Sequence, residues 1–414
     1  MTGKRENWLL VTLAGIQFTH ILDFMIMMPL GPQFTRIFGI NEAQFGLLVS
    51  AYTLAGGISG LVASGFIERF SRKRLLLVLY AFFFLSAIAC SLAPGYWALM
   101  AARIAAGMFG GVLSSMAPTI VGDVIPFERR GRAMGIVMTS FSAASVAGVP
   151  AGLWLAEHFG WHAPFVGIAV LCAVLGTFAA LTLPPLDAHL HQQNQSSPLQ
   201  RIQTVLADAN HRRAFGFSVL VMFGGFSIIP FLAINAEYGV GLRPDQIPYI
   251  YLFGGLGALL TARWVGRLAD RWGKVNCFRL ASVLVIAPMF AMTLMPYGAP
   301  LWLMLVASTL FMILMSGRMI PSMAIVTSAA NPQVRGTFMT LNASVQSGAM
   351  GMAALLGGAL ISRNAEGQLQ NYWLNAVVAT VATLLAMWLA GRLFLHQNPA
   401  ASGQEGQQAT AKRL

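Results

Sequence analysis

The chain has 414 residues, 57% of them hydrophobic and 10% charged, with a mean hydropathy of +0.67. That balance leaves too little polar surface to cover a soluble globule of 44.4 kDa and excludes one. The formal net charge of +12 does not point to nucleic acid as a partner, because no basic stripe with interleaved aromatics occurs; the pattern is that of an all-α membrane protein.

Apolar runs long enough to cross about 30 Å of hydrocarbon predict twelve transmembrane helices, near residues 8–34, 43–66, 75–93, 96–121, 132–155, 163–183, 213–234, 247–266, 275–295, 301–325, 336–361 and 372–394. Lys4 and Arg5 precede the first run, which reads as a membrane helix rather than a secretory leader because further spans follow. With both termini in the cytoplasm, the external loops hold only Arg36, Arg243 and Arg363 of the 26 lysines and arginines. Arg103 and Arg318 fall inside spans, and 21 lie at the cytoplasmic side. This bias sets the expected orientation in a cell (inner) membrane.

In the first helix Gln17, His20 and Asp23 recur every third residue and share a face. Asp23 is the only carboxylate well inside a span. The fourth helix carries Arg103, and an arginine buried unpaired in a membrane is costly, so Asp23 is its natural partner. A rise of 1.5 Å per residue puts Asp23 about 22 Å from Trp8 at the inner face and Arg103 about 10 Å from Trp97 at the outer face, which brings them to similar depth. A carboxylate beside an imidazole and an arginine can exchange a proton with a cavity as its surroundings alternate. The alternative is a static pair that fixes helix packing, and His20 and Gln17 suit either role.

Between the second and third helices, Ser64-Gly65-Phe66-Ile67-Glu68-Arg69-Phe70-Ser71-Arg72 forms a charged turn. The segment Gly266-Arg267-Leu268-Ala269-Asp270-Arg271-Trp272-Gly273-Lys274 repeats it 202 residues downstream. The chain therefore reads as a duplication, with residues 1–183 and 213–394 each forming a six-helix bundle. Residues 184–212 are a polar linker in which Leu199, Ile202, Val205 and Leu206 follow Pro198 at helical spacing and predict a short amphipathic helix. His189, His191 and His211 belong to this linker region and are not read as a metal site. Residues 395–414 read as a disordered tail. Cys90, Cys172 and Cys277 read as buried apolar residues. No G-x-x-x-x-G-K-S/T pattern and no nucleophile–base set occurs, so neither direct ATP drive nor an enzyme is expected, and no cofactor.

Four features resemble the Major Facilitator Superfamily, and within it the twelve-helix drug/proton antiporter-like group of bacterial exporters. They are the two charged turns, the L-x-x-x-R-x-x-x-G segment Leu99 to Gly107, the segment Gly148-Val149-Pro150-Ala151-Gly152, and the turn Phe159-Gly160-Trp161-His162-Ala163-Pro164-Phe165. The resemblance spans nearly the whole chain. It implies two pseudo-symmetric bundles that rock about a central site, in a monomeric proton-coupled exporter whose partners are a small-molecule substrate, protons and the lipid bilayer. The second charged turn matches the family's G-x-L-A-D-R-x-G-R-R/K closely, whereas the first has Ser64 and Ser71 for glycines and Glu68 for Asp. The fifth-helix match is partial, with Pro150 displaced by one residue.

An acidic group at a helix end can hold an arginine and the N-terminus of a neighbouring helix, so Glu68, Arg69, Asp123, Arg130, Asp270, Arg271 and Gly273 are expected to latch the inner ends of the halves. The second copy is expected to hold more of the closed gate; the alternative is solvated charges that only signal topology. Gly107, Gly148, Pro150 and Gly152, with glycines of helices 2, 8 and 11, are expected to let helix backbones approach and slide. Arg318 lies about 25 Å along the tenth helix from Leu301 and is expected to bind an anionic substrate group, pair with Asp270, or snorkel to the surface. Asn235 and Glu237 either line an outer vestibule or belong to a solvated loop. The competing readings are proton-symport uptake of a sugar or organic acid, and a non-transporting membrane sensor or scaffold.

Overall fold

A computed structural model describes residues 3–64, 70–125, 127–184, 186 and 198–395. The chain begins with α1 (Gly3–Ile26) and a short α2 (Gly31–Phe38) in place of the single helix expected over 8–34. The break at residues 27–30 precedes Pro32, which sits in the first turn of α2, where its missing N–H costs no helical bond. The next three elements, α3 (Glu42–Ser64), α4 (Arg72–Ser91) and α5 (Tyr96–Val124), fall on expected spans. The fifth span is α6 (Phe127–Ala143) and α7 (Val149–Phe159), joined by a π-helical turn at Ala144–Gly148 in which the Val149 N–H reaches the Ala144 carbonyl. The widened turn accommodates Pro150, whose ring would crowd the preceding turn of a regular helix. The first half closes with α8 (Ala163–Thr182).

The linker helix predicted after Pro198 is present as α9 (Pro198–Ala207). The Asp208 carboxylate then caps α10 (Ala209–Phe226) by accepting from the N–H groups of Asn210 and His211. This span continues through short turns that include α11 (Leu232–Ile234) and a π-helical turn at Asn235–Gly239. The rest of the half is α12 (Ile247–Trp272), α13 (Lys274–Leu284) with α14 (Ile286–Thr293), α15 (Leu301–Ala329), α16 (Arg335–Leu360) and α17 (Tyr372–Ala390). A two-residue hairpin, β1 (Ser362–Arg363) paired antiparallel with β2 (Leu369–Gln370), precedes α17. Among the described residues eleven spans are long and apolar enough to cross a membrane. The remaining expected span, α12, has 26 residues, but glycines and Arg263, Arg267, Asp270 and Arg271 dilute it. Residues 396–414, where a disordered tail is expected, lie outside the described residues, as do His189 and His191.

The duplication is visible in the packing. In the first half α1 packs on α6 and α8, α3 on α5, and α4 on α5 and α8. The second half repeats each pair, with α10 on α16 and α17, α12 on α15, α13 on α15, and α14 on α17. The halves meet where α3 crosses α16 and where α7 lies beside α12. The face that carries Arg72, Arg129, Arg271 and Lys274 is the basic face; α2, the hairpin and the start of α3 lie at the far face.

Within the first half, the closest approach is α3 against α5. A Cβ on Gly107 would sit 2.2 Å from the Tyr52 carbonyl oxygen, and one on Gly111 would sit 2.4 Å from Gly56 Cα. Both neighbours are backbone and cannot rotate away. Gly107→Ala is therefore expected to destabilise the protein by about 1–3 kcal/mol, as overpacking does, read as a lower thermal unfolding midpoint in detergent; an unchanged midpoint would place the contact elsewhere.

Candidate functional site

The arginine of α5 finds the carboxylate of α1. Arg103 Nη1 donates to Asp23 Oδ2 at 2.8 Å, with side chains 1% and 0% exposed. The guanidinium also lies over the Tyr52 ring at 4.3 Å, which spreads its charge over an aromatic face. Tyr52 was not a sequence candidate, since a tyrosine on an apolar helix face carries no signal of such a role. The second oxygen, Asp23 Oδ1, has no donor, and Arg103 Nε, the Tyr52 hydroxyl and His20 Nδ1 are likewise buried without hydrogen-bond partners among the described residues. His20 lies with its ring 6.2 Å from that of Tyr52, while Gln17 is buried one turn nearer the basic face. The site thus holds one charge-neutral pair whose second carboxylate oxygen is without a donor; a proton there would neutralise Asp23 and leave the charge of Arg103, with the hydrogen bond to Oδ2 able to persist.

Beyond this pair the far face is sealed by contacts that cross the halves. Arg36 Nη1 donates to Glu237 Oε1 at 3.0 Å, and Arg363 Nε donates to Glu42 Oε1 at 2.6 Å. Arg363 also covers the Tyr238 ring at 4.1 Å, and the Tyr238 hydroxyl donates to the Pro32 carbonyl at 3.4 Å. Beneath these polar ties Phe45 meets Phe231 edge-on at 6.0 Å, and Phe24 meets Phe226 at 6.0 Å. Glu237 is therefore neither vestibule nor solvated loop in this conformation. Asn235 is buried and donates to the Met292 carbonyl at 3.2 Å, so it too is withdrawn from a vestibule.

Toward the basic face the halves part around a cavity of about 1080 Å³. Its walls include Ser114, Ser115 and Thr119 from α5 and Thr337, Thr340 and Gln346 from α16, and part of its rim is α9. The molecule is closed at the far face and open at the basic face.

Of the expected latch residues, Asp123 lines this cavity. Asp123 accepts from Arg72 Nε at 3.0 Å, and Arg129 pairs with Glu6 at 2.9 Å, a partner on α1 that the sequence reading did not consider. Asp270 and Arg271 are exposed, and neither has an ion pair among the described residues. Gly273 has φ +87°, a backbone that glycine alone adopts easily. The matching Ser71 has φ −52°, a backbone that any residue adopts, so a serine is tolerated there. Glu68 and Arg69 lie outside the described residues, as does the side chain of Arg130 on α6.

Arg318 is fully buried between α10, α15 and α17, where it donates to Thr383 Oγ1 at 2.9 Å and to the Val221 carbonyl at 2.8 Å. It neither meets Asp270 nor reaches the surface, and it is not among the cavity walls. Gly148 and Gly152 press on Leu22 and Ile26 of α1, within their own half. The crossings between halves use other glycines: Gly57 against the Ser344 carbonyl and Gly255 against that of Ser145. His211 is a structural residue, with Nε2 accepting from the Asn331 N–H at 3.0 Å.

Two bundles repeated in their packing, around a cavity that opens at one face and with a buried ion pair in the first of them, have the architecture of a membrane transporter. The Major Facilitator Superfamily model matches residues 13–354 and, separately, 214–413; the chain belongs to this superfamily. It is 23% identical over 389 residues to the uncharacterized MFS-type transporter YbcL of Bacillus subtilis (strain 168), covering 92% of this chain and 96% of that one. It is 26% identical over 379 residues to the chloramphenicol resistance protein of Streptomyces lividans, covering 88% and 91%. Among solved structures it shares the fold of a D-xylose-proton symporter, with TM-score 0.72, 16% identity, and coverage of 92% and 97%.

Proposed function

We propose that this multi-pass membrane protein exports small organic molecules from the cytoplasm in exchange for protons, by alternating access. The observation that carries the reading is the sealed Asp23–Arg103 pair, whose second carboxylate oxygen is free to hold a proton. A transporter that couples to protons needs one buried group whose exposure changes with conformation, and Asp23 is the only carboxylate deep in a span. Arg103 keeps the empty carboxylate tolerable in the membrane, and His20 and Tyr52 flank it. The basic face is cytoplasmic by the lysine and arginine bias, so the conformation described is inward-open. A relative of similar length that is a chloramphenicol resistance protein supports the outward direction. The two bundles, residues 1–183 and 213–394, act as the moving bodies.

In the alternate state the inner ends close, and Asp270, exposed here, engages the partner half together with Glu68 and Asp123. Asp270→Asn is then expected to raise the inward-open population, and more than Glu68→Gln does. A charge-assisted hydrogen bond contributes about 1.5–3 kcal/mol, and only the difference between states counts. Distances between spin labels on the basic ends of α5 and α15 report the shift; the reverse ranking, or no change in either, would reduce these charges to topology signals.

Transport itself is tested in proteoliposomes with an acidic lumen. An exchanged compound should accumulate inside against its gradient and leak out when a protonophore is added. Accumulation that requires an acidic exterior instead would make the protein a symporter.

A further inference from the structure

We infer that the transported molecule carries several hydroxyl or amide hydrogen-bond donors, and that the cavity excludes organic cations. This deepens the reading of the cavity as the transport path and rests on it.

The first ground is charge. The spans hold three ionisable charges well inside the membrane, Asp23, Arg103 and Arg318. Asp23 is spent on Arg103 at 2.8 Å, and Arg318 is held by a hydroxyl and a carbonyl rather than a carboxylate. An arginine stays protonated in proteins, so the sum is one positive charge. At the mouth, Asp123 is the one carboxylate among the described cavity walls, and Arg72 holds it at 3.0 Å. A cation leaving water for this cavity would lose hydration and meet no free carboxylate among the described walls in return, the arrangement in which burying a charge is most costly.

The second ground is the polarity of the walls. On α5 the hydroxyl protons are committed to the helix itself: Ser114 donates to the Gly111 carbonyl at 2.7 Å, Ser115 to that of Val112 at 2.8 Å, and Thr119 to that of Ser115 at 2.7 Å. What these side chains present to the cavity is oxygen lone pairs. Thr340 on the facing α16 is spent in the same way, on the Gly336 carbonyl at 3.2 Å. These acceptor oxygens are satisfied by a ligand that brings donors; Thr337, Gln333 and Gln346 on the same walls can receive or donate as the ligand requires, and Arg72 and Arg201 are donors. Hydroxyl- or amide-rich compounds match this; permanent cations such as quaternary ammonium ions, which have no N–H or O–H, match neither the charge nor the donors.

The test needs no identified substrate. Ser114→Cys places a thiol on the acceptor wall, and the three native cysteines are buried. Its labelling by the hydroxyethyl, trimethylammonioethyl and sulfonatoethyl methanethiosulfonates is timed in the full chain and normalised to a free thiol in solution. The cationic reagent is expected to react at least about tenfold more slowly than the uncharged one, a difference of about 1.4 kcal/mol; equal or faster reaction of the cation overturns the inference. Protection by added compounds gives the second arm: chloramphenicol, uncharged with two hydroxyls and an amide N–H, should slow the labelling, and tetraphenylphosphonium should not. Protection by tetraphenylphosphonium also overturns it. Because labelling requires no pH gradient, the inference can fail while proton-coupled export stands, and the reverse.

Discussion

Asp23→Asn is expected to abolish accumulation driven by a pH gradient, down to the level of empty liposomes, while leaving energy-independent exchange of the same compound in place. The substitution keeps the shape of the side chain, and its amide oxygen can still accept from Arg103, so the bundle remains folded. What is lost is the oxygen that takes up and releases a proton. The cost to stability is the loss of a charge-assisted bond, about 1.5–3 kcal/mol, which thermal unfolding in detergent checks. Gradient-driven accumulation at the wild-type level would exclude Asp23 as the proton carrier, whereas loss of exchange as well would assign it to packing.

Arg363→Ala is expected to open the far face. Its guanidinium ties the start of α3 to the loop before α17 through a 2.6 Å pair with Glu42, whose side chain is 3% exposed, and it covers Tyr238 at 4.1 Å. Removing it leaves Glu42 buried without its cation in the closed state, whereas an open far face rehydrates the carboxylate. The two states are thus affected unequally, which is the condition for a population shift. With about 1.5–3 kcal/mol at stake, the outward-open fraction should rise roughly tenfold to a hundredfold. Spin labels at Ile37 and Gln370, both exposed at the far face, should move apart; an unchanged distance would mean that the aromatic contacts beneath hold the seal alone.

The spans were legible because a membrane helix must be apolar over a fixed length, and the Asp23–Arg103 pair because an intramembrane arginine must have a partner at its own depth. The far seal was not. Arg36, Glu42, Glu237 and Arg363 stand at helix ends and in loops, where charges ordinarily meet water, and only the relative tilt of the two halves brings them together. Arg318 escaped for another reason. A search for its carboxylate finds none, since Thr383 and a main-chain carbonyl hold it, and no sequence pattern marks a carbonyl. The π-helical turn at Ala144–Gly148 follows from Pro150, yet proline alone does not say whether a helix kinks, breaks or widens. A helix, α12, covers the run expected over 247–266, but its glycines and arginines leave it outside the eleven spans apolar enough to cross a membrane.

The central claim is that proton movement is tied to substrate movement in the opposite direction through Asp23. The most direct measurement is lumenal pH in proteoliposomes holding a trapped pH-sensitive dye, after outside addition of a compound that the protein exchanges. Antiport predicts that the lumen becomes more alkaline as the compound enters and protons leave, and that Asp23→Asn vesicles show no change. A lumen that acidifies would contradict export and indicate symport, and a lumen pH that stays constant while the compound enters would contradict proton coupling altogether.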